Sequence, residues 1–145
     1  MKWFVAALAA LAIAVPTKAL ACDEHEKTAA AKPTIQKLSV TELASLKKEN
    51  KATVYDANSP ETRQKAGIIP GAKLLTSVAK FEPAKELPAN KSDKIVFYCA
   101  NEMCGASHQA AKKANQAGWT DVAVLPVGIE GWKAAGQPTA APSQS

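Results

Sequence analysis

Two cysteines five positions apart stand where an apolar run gives way to helix-forming residues, in the stretch 97-FYCANEMCGASHQAAKK-113. A deprotonated thiol is both a strong nucleophile and a soft metal ligand. Cys99 follows Ile95-Val96-Phe97-Tyr98 directly. A sulfur between a strand and a helix can be met by converging backbone N–H groups and by the positive end of the helix, and both favour the thiolate. The plainer role for such a cysteine is a small buried hydrophobe. Cys104 has two readings of its own. It can be a redox partner that resolves a persulfide or sulfenic acid on Cys99, or half of a structural disulfide, for which the two Cα atoms must approach within about 7 Å. Adding His108 gives Cys99, Cys104 and His108, a set suited to Cu(I) or Zn(II), but a fourth ligand would have to come from Cys22 or His25. His108 also reads as a polar residue near a helix start, able to shuttle a proton or supply a local cation.

These residues need elements to hold them. Ile95-Val96-Phe97-Tyr98 is the most continuous apolar run after the N-terminal segment, as expected of a strand buried on both faces of a parallel sheet. Ala106 to Ala117 is rich in helix formers and ends at Gly118, and Val122-Ala123-Val124-Leu125 reads as the next strand. Upstream, Ser39-Val40-Thr41-Glu42 has the form of a capping box, with Leu43 and Leu46 on one helical stripe ending near Asn50. Ala52 to Tyr55 predicts a strand closed by Asp56, then a loop through Ala57-Asn58-Ser59-Pro60. Asp56 is expected to order that loop by accepting backbone hydrogen bonds. A small strand at Lys73 to Leu75, a helical stretch around Ser77 to Glu86 and a short helix from Ile129 to Ala135 complete the pattern. Alternating strands and helices imply a parallel sheet covered on both faces, with sites at the carboxyl ends of the strands. Cys99 occupies such an end.

The chain has 145 residues, 47% of them hydrophobic and 21% charged, enough for one domain with a core. Residues 1–21 read as an export signal: Lys2, an apolar run from Trp3 to Val15, Pro16, and Ala19-Leu20-Ala21 before a cleavage point. The run is short for a membrane span, which takes about 20 residues. Cleavage after Ala21 places Cys22 first in the mature chain and predicts a periplasmic or secreted protein, with lipid anchoring through Cys22 as the alternative and the only expected tie to a membrane. Residues 22–37 read as a flexible lead-in, 38–138 as the domain and 139–145 as a disordered tail. The formal charge is +5; without Lys2 and Lys18 the 18 Lys and Arg become 16 against 13 acidic residues, or +3. The lysines are scattered with no aromatic-interleaved stripe, so no nucleic-acid partner is expected.

The chain resembles a single-domain rhodanese. The resemblance is carried by Asp56 after its strand, Gly67-Ile68-Ile69-Pro70-Gly71-Ala72, Asp93 to Cys99, Ala110-Ala111, Gly118-Trp119 and Gly131-Trp132-Lys133-Ala134-Ala135-Gly136-Gln137-Pro138, in the family's order over residues 38 to 138. It implies an α/β fold with a parallel, five-stranded sheet flanked by helices, and a sulfurtransferase that needs no cofactor. Cys99 would carry sulfane sulfur as a persulfide between a donor such as thiosulfate or polysulfide and a thiol or cyanide acceptor. The N–H groups of Ala100, Asn101, Glu102, Met103, Cys104, Gly105 and Ala106 would cradle it, and Ser107 matches the serine that opens the next helix. The pattern departs from the family where it matters for chemistry: Ile68 stands where the motif usually has histidine, Asn58 where arginine is frequent, and the loop is longer and lacks a cation. Seven residues, ANEMCGA, separate Cys99 from Ser107 and none is cationic, where many members carry an arginine. A guanidinium binds oxyanions through paired hydrogen bonds, and Arg63, the only arginine, lies far along the sequence. A non-catalytic binding module on the same scaffold is the alternative function, and phosphatase-type chemistry a third. Oligomeric state is left open.

Overall fold

The computed structural model describes residues 34–142. The expected export signal, Cys22 and His25 lie outside them. The described chain forms one five-stranded sheet with the order β1-β5-β4-β2-β3 and every neighbouring pair parallel. The strands are β1 (Gln36–Lys37), β2 (Thr53–Asp56), β3 (Lys73–Leu74), β4 (Ile95–Tyr98) and β5 (Val122–Leu125). Between and after them run α1 (Val40–Lys48), α2 (Pro60–Ala66), α3 (Pro83–Glu86), α4 (Ala106–Gln116) and α5 (Gly128–Ala134). This is the expected α/β architecture.

β4 is central because its sequence tolerates burial on both faces. Ile95, Val96, Phe97 and Tyr98 are all inaccessible to solvent, and burying a large apolar side chain stabilises by about 1.5–3 kcal/mol. Period-two alternation sends Ile95, Phe97 and Cys99 into one core with Tyr55, Leu75, Ala110, Ala111, Ala114 and Trp119. Val96 and Tyr98 enter the opposite core with Leu43, Val54, Ile69, Ile129 and Trp132. The alanine stripe of α4 lets that helix lie close against β4 and β5.

The capping box forms as the sequence predicts: Glu42 N–H donates to Ser39 Oγ at 3.2 Å, and Ser39 N–H to Glu42 Oε2 at 2.7 Å. Elsewhere the structure departs from the sequence reading. The loop expected after Asp56 contains α2, started by Ser59, whose Oγ accepts from Thr62 N–H, and by Pro60 at the first helical position. The helical stretch expected from Ser77 shrinks to the four residues of α3, because Pro83 can open a helix but not sit within one. The sheet starts at Gln36, inside the stretch read as a lead-in. At the other end Ala140 exchanges two backbone hydrogen bonds with Ile68, both 2.9 Å, so ordered pairing extends past Pro138.

Candidate active site

The carboxyl ends of β2 and β4 lie side by side, with Asp56 in register with Tyr98. β2 delivers Asp56, which is fully buried; its Oδ1 accepts from Asn58 N–H at 2.7 Å and its Oδ2 from the Tyr98 hydroxyl at 2.6 Å. That hydroxyl in turn accepts from Ile69 N–H at 3.0 Å. Burial first, and then the neighbouring Asp56 carboxylate, hold the Tyr98 phenol far above its ordinary range.

Arg63 completes this network from α2. It is buried, and its Nη2 donates to the carbonyls of Asp56 at 2.9 Å and Leu75 at 2.8 Å, while Nε faces Asp56 Oδ1 at 3.5 Å without hydrogen-bond geometry. The guanidinium thus stitches α2 to the ends of β2 and β3. It is committed to backbone carbonyls and is not presented to a ligand.

β4 delivers the thiols. Cys99 is fully buried and Cys104 half-buried, and both are free. Between them the chain turns on itself: Cys104 N–H donates to Asn101 O at 3.1 Å, and Met103 N–H to Asn101 Oδ1 at 3.1 Å. The loop is pinned from below by the start of α5, where Ile129 N–H donates to Cys99 O at 2.9 Å and Glu130 N–H to Ala100 O at 3.0 Å. Asn101 Nδ2 reaches the Glu130 carboxylate at 3.1 Å. Gly128 makes this approach possible: its φ is +59°, and a Cβ there would meet the carbonyl oxygens of Cys99 and Ala100. Sequence reasoning missed Gly128. The signal was a glycine between the end of an apolar strand and a helix, which marks close backbone approach as well as a turn.

The two sulfurs have different surroundings. Cys99 Sγ donates to the Cys104 carbonyl at 2.9 Å and lies 3.4 Å from Ser107 Oγ. Burial pushes the Cys99 thiol up, and its hydrogen bond with Cys104 adds to that, against smaller opposing contributions from Ser107. At Cys104 burial also acts upward, but hydrogen bonds from Cys99 and from the backbone of Ala100 and Ala106 outweigh it and bring the thiol below its ordinary value.

Of the other residues singled out in the sequence, Ser107 is buried beside Cys99, and Glu102, Met103 and Gly105 are exposed on the loop. His108 is exposed on the first turn of α4 and does not join the thiols: among the described residues no group of three His, Cys, Asp or Glu side chains could hold a metal ion. The set Cys99, Cys104 and His108 fails because successive residues on a helix point about 100° apart, so the buried Ser107 leaves His108 facing water.

The model of the rhodanese-like domain family matches residues 39–135. Among solved structures, the human single-domain sulfurtransferase TSTD1 is 27% identical with a TM-score of 0.58, covering 70% of this chain and 97% of its own. A Rhodopseudomonas palustris protein of unknown function, described as a possible tyrosine phosphatase, is 28% identical with a TM-score of 0.61, over 72% of this chain and 84% of that one. The rhodanese-like domain of an Anabaena protein shares the fold at 23% identity and a TM-score of 0.61, over 77% and 88%. No curated protein sequence matches the chain.

Proposed function

The chain belongs to the rhodanese-like domain family, and on that premise we propose that it is a sulfurtransferase whose sulfane sulfur is held as a persulfide within the Cys99–Cys104 loop and passed to a thiol acceptor. One observation carries the reading. Two free thiols sit at the carboxyl end of the central strand, in a loop whose backbone hydrogen-bonds to sulfur, the Cys104 carbonyl accepting from Cys99 Sγ at 2.9 Å. The human single-domain sulfurtransferase supports the same class of reaction. A thiolate attacks the outer sulfur of the donor, the donor's own S–S bond breaks, and the sulfur remains on the protein.

The possible tyrosine phosphatase among the structural relatives raises phosphoester hydrolysis as a rival. This loop is poorly equipped for it. Phosphoryl transfer needs positive charge around the equatorial oxygens, and the chain's single arginine is bonded to the Asp56 and Leu75 carbonyls.

Intact mass of the reduced protein before and after exposure to thiosulfate or a low-molecular-weight persulfide, read together with a sulfide assay, tests the proposal. The expected result is sulfur drawn from the donor, either retained as one added atom that reductant removes or released as sulfide while the chain loses two hydrogens, and absent when both cysteines are serine. A folded, reduced protein that neither retains sulfur nor releases sulfide with either donor would sink it. The same spectrum reads the proposed export, to the periplasm or out of the cell: a mature chain beginning at Cys22 is expected, with an added lipid mass marking an anchored form, and a chain retaining residues 1–21 after expression in a secreting host refutes it.

A further inference from the structure

Cys99 and Cys104 differ in what reaches them from outside. A cleft of about 400 Å³ opens at the carboxyl ends of β2 and β4, lined by Asn58, Ser59, Thr76, Ser77, Cys104 and Ala106 among others. Cys104 lines it and Cys99 does not. Cys99 is instead sealed into the core with Phe97, Ala110 and Ala111. Asn58 is buried, and its Nδ2 has no hydrogen-bond partner, which leaves a donor group beside the cleft for an incoming oxygen or sulfur.

We propose, building on the sulfurtransferase reading above, that Cys104 makes the first attack on the sulfur donor from the cleft, and that Cys99 is the buried thiol that, when no acceptor thiol takes the sulfur, resolves the resulting persulfide, releasing sulfide and closing a Cys99–Cys104 disulfide. The resemblance puts the carried sulfur on Cys99; the accessibility of the two sulfurs puts it on Cys104. The surroundings point the same way: at Cys104 hydrogen bonding outweighs burial and brings the thiol below its ordinary value, while burial pushes the Cys99 thiol up.

The chemistry balances with one external reductant. Cys104 thiolate attacks the outer sulfur of a persulfide R–S–SH; the Cys104 S–S bond forms as the donor's S–S bond breaks, and R–S⁻ leaves. The outer sulfur of the new Cys104 persulfide projects into the cleft, because only that side is open. Cys99 then attacks the inner sulfur from the core side. The protein disulfide forms, the persulfide bond breaks, and the outer sulfur departs as hydrogen sulfide with the proton from Cys99. The sulfane sulfur gains two electrons and the two cysteine sulfurs lose them. A dithiol reductant reopens the disulfide by exchange.

Single-cysteine variants treated with glutathione persulfide, followed by intact mass and a sulfide assay, test the assignment. Cys99→Ser should keep one added sulfur, Cys104→Ser should gain none, and the unaltered protein should lose two hydrogens while releasing one sulfide per chain. Sulfur uptake by Cys104→Ser but not by Cys99→Ser reverses the roles and overturns the proposal, as does an unaltered protein that stores sulfur without releasing sulfide. If no form takes up sulfur, the sulfurtransferase reading falls as well. Because Cys99 is buried, Cys99→Ala serves beside Cys99→Ser. Mapped alkylation of the unaltered protein needs no variant at all: Cys104 should react first, and first reaction at Cys99 would refute the assignment.

Discussion

The adjacent ends of β2 and β4 are built on opposite plans. At the end of β2, Asp56 meets Asn58 N–H, the Tyr98 hydroxyl and the Arg63 guanidinium, all within a buried network whose partners are protein groups. At the end of β4, two free thiols face a loop with exposed Glu102 and Met103, one thiol sealed in the core and the other on a cleft. The first arrangement is closed and fixes structure. The second is open and leaves reactive atoms within reach of a ligand. The chain's one guanidinium is spent on the β2 end and supplies no charge to the loop. At Cys104 burial acts upward on the thiol, and hydrogen bonding outweighs it and brings the thiol below its ordinary value.

The strongest way to break the comparison is to open the closed end. Asp56→Ala strands the buried Arg63 guanidinium and removes the acceptor for the Tyr98 hydroxyl and Asn58 N–H. Removing one partner of a buried ion pair costs about 3–5 kcal/mol, and urea denaturation should register a loss of that size. A loss within the range of an ordinary surface substitution, about 0.5 kcal/mol, would show that the network is not structural. One electrostatic thread joins the two ends: the Asp56 charge pushes the Cys104 thiol up. In whatever fraction of Asp56→Ala folds, alkylation of Cys104 should therefore set in at lower pH.

A smaller loss, but one that reaches the open end directly, is expected from Gly128→Ala. The left-handed backbone at φ +59° costs about 1–3 kcal/mol for a residue with a side chain, and the added Cβ would collide with the carbonyls of Cys99 and Ala100. The loop must lift away from Ile129 and Glu130. Thermal unfolding should show the destabilisation, and sulfur uptake should fall in the folded protein as the thiols lose their pinned geometry. Unchanged stability and uptake together would mean that α5 does not position the loop.

The sequence made the open end more legible than the closed one. The run Ile95 to Tyr98, the thiol after it and the alanine stripe of α4 are local patterns, each contained within a few residues. Arg63 read as a remote side chain because nothing in its neighbourhood says that α2 folds back onto β2 and β3. Its partners, Asp56 and Leu75, lie 7 and 12 residues away and are brought to it by topology. The division of labour between the thiols was hidden for the same reason. Strand alternation announces that Cys99 enters a core, but the turn at Asn101, which leaves Cys104 on the cleft, is set by side-chain and backbone bonds that spacing does not encode. α2 is a different case. Ser59-Pro60 is a helix-start signal in its own right, outweighed in the reading by the turn preferences of the same residues.

The mildest perturbation sharpens the comparison without disturbing the fold. Glu102 is exposed on the loop between the two thiols and puts a negative charge where an anionic donor would approach. An exposed charge acts through water and is worth about 0.2–1 kcal/mol, so Glu102→Gln should speed sulfur uptake from thiosulfate by about two- to threefold while stability stays unchanged. The gain should vanish at about 1 M salt, where screening reaches about 3 Å, and should be absent with an uncharged organic trisulfide. An equal gain with the uncharged donor would place the effect in loop conformation, through the turn at Asn101, and not in charge. A gain confined to thiosulfate would mean that the open end discriminates against anions by a surface carboxylate, just as the closed end neutralises its own carboxylate with the only guanidinium in the chain.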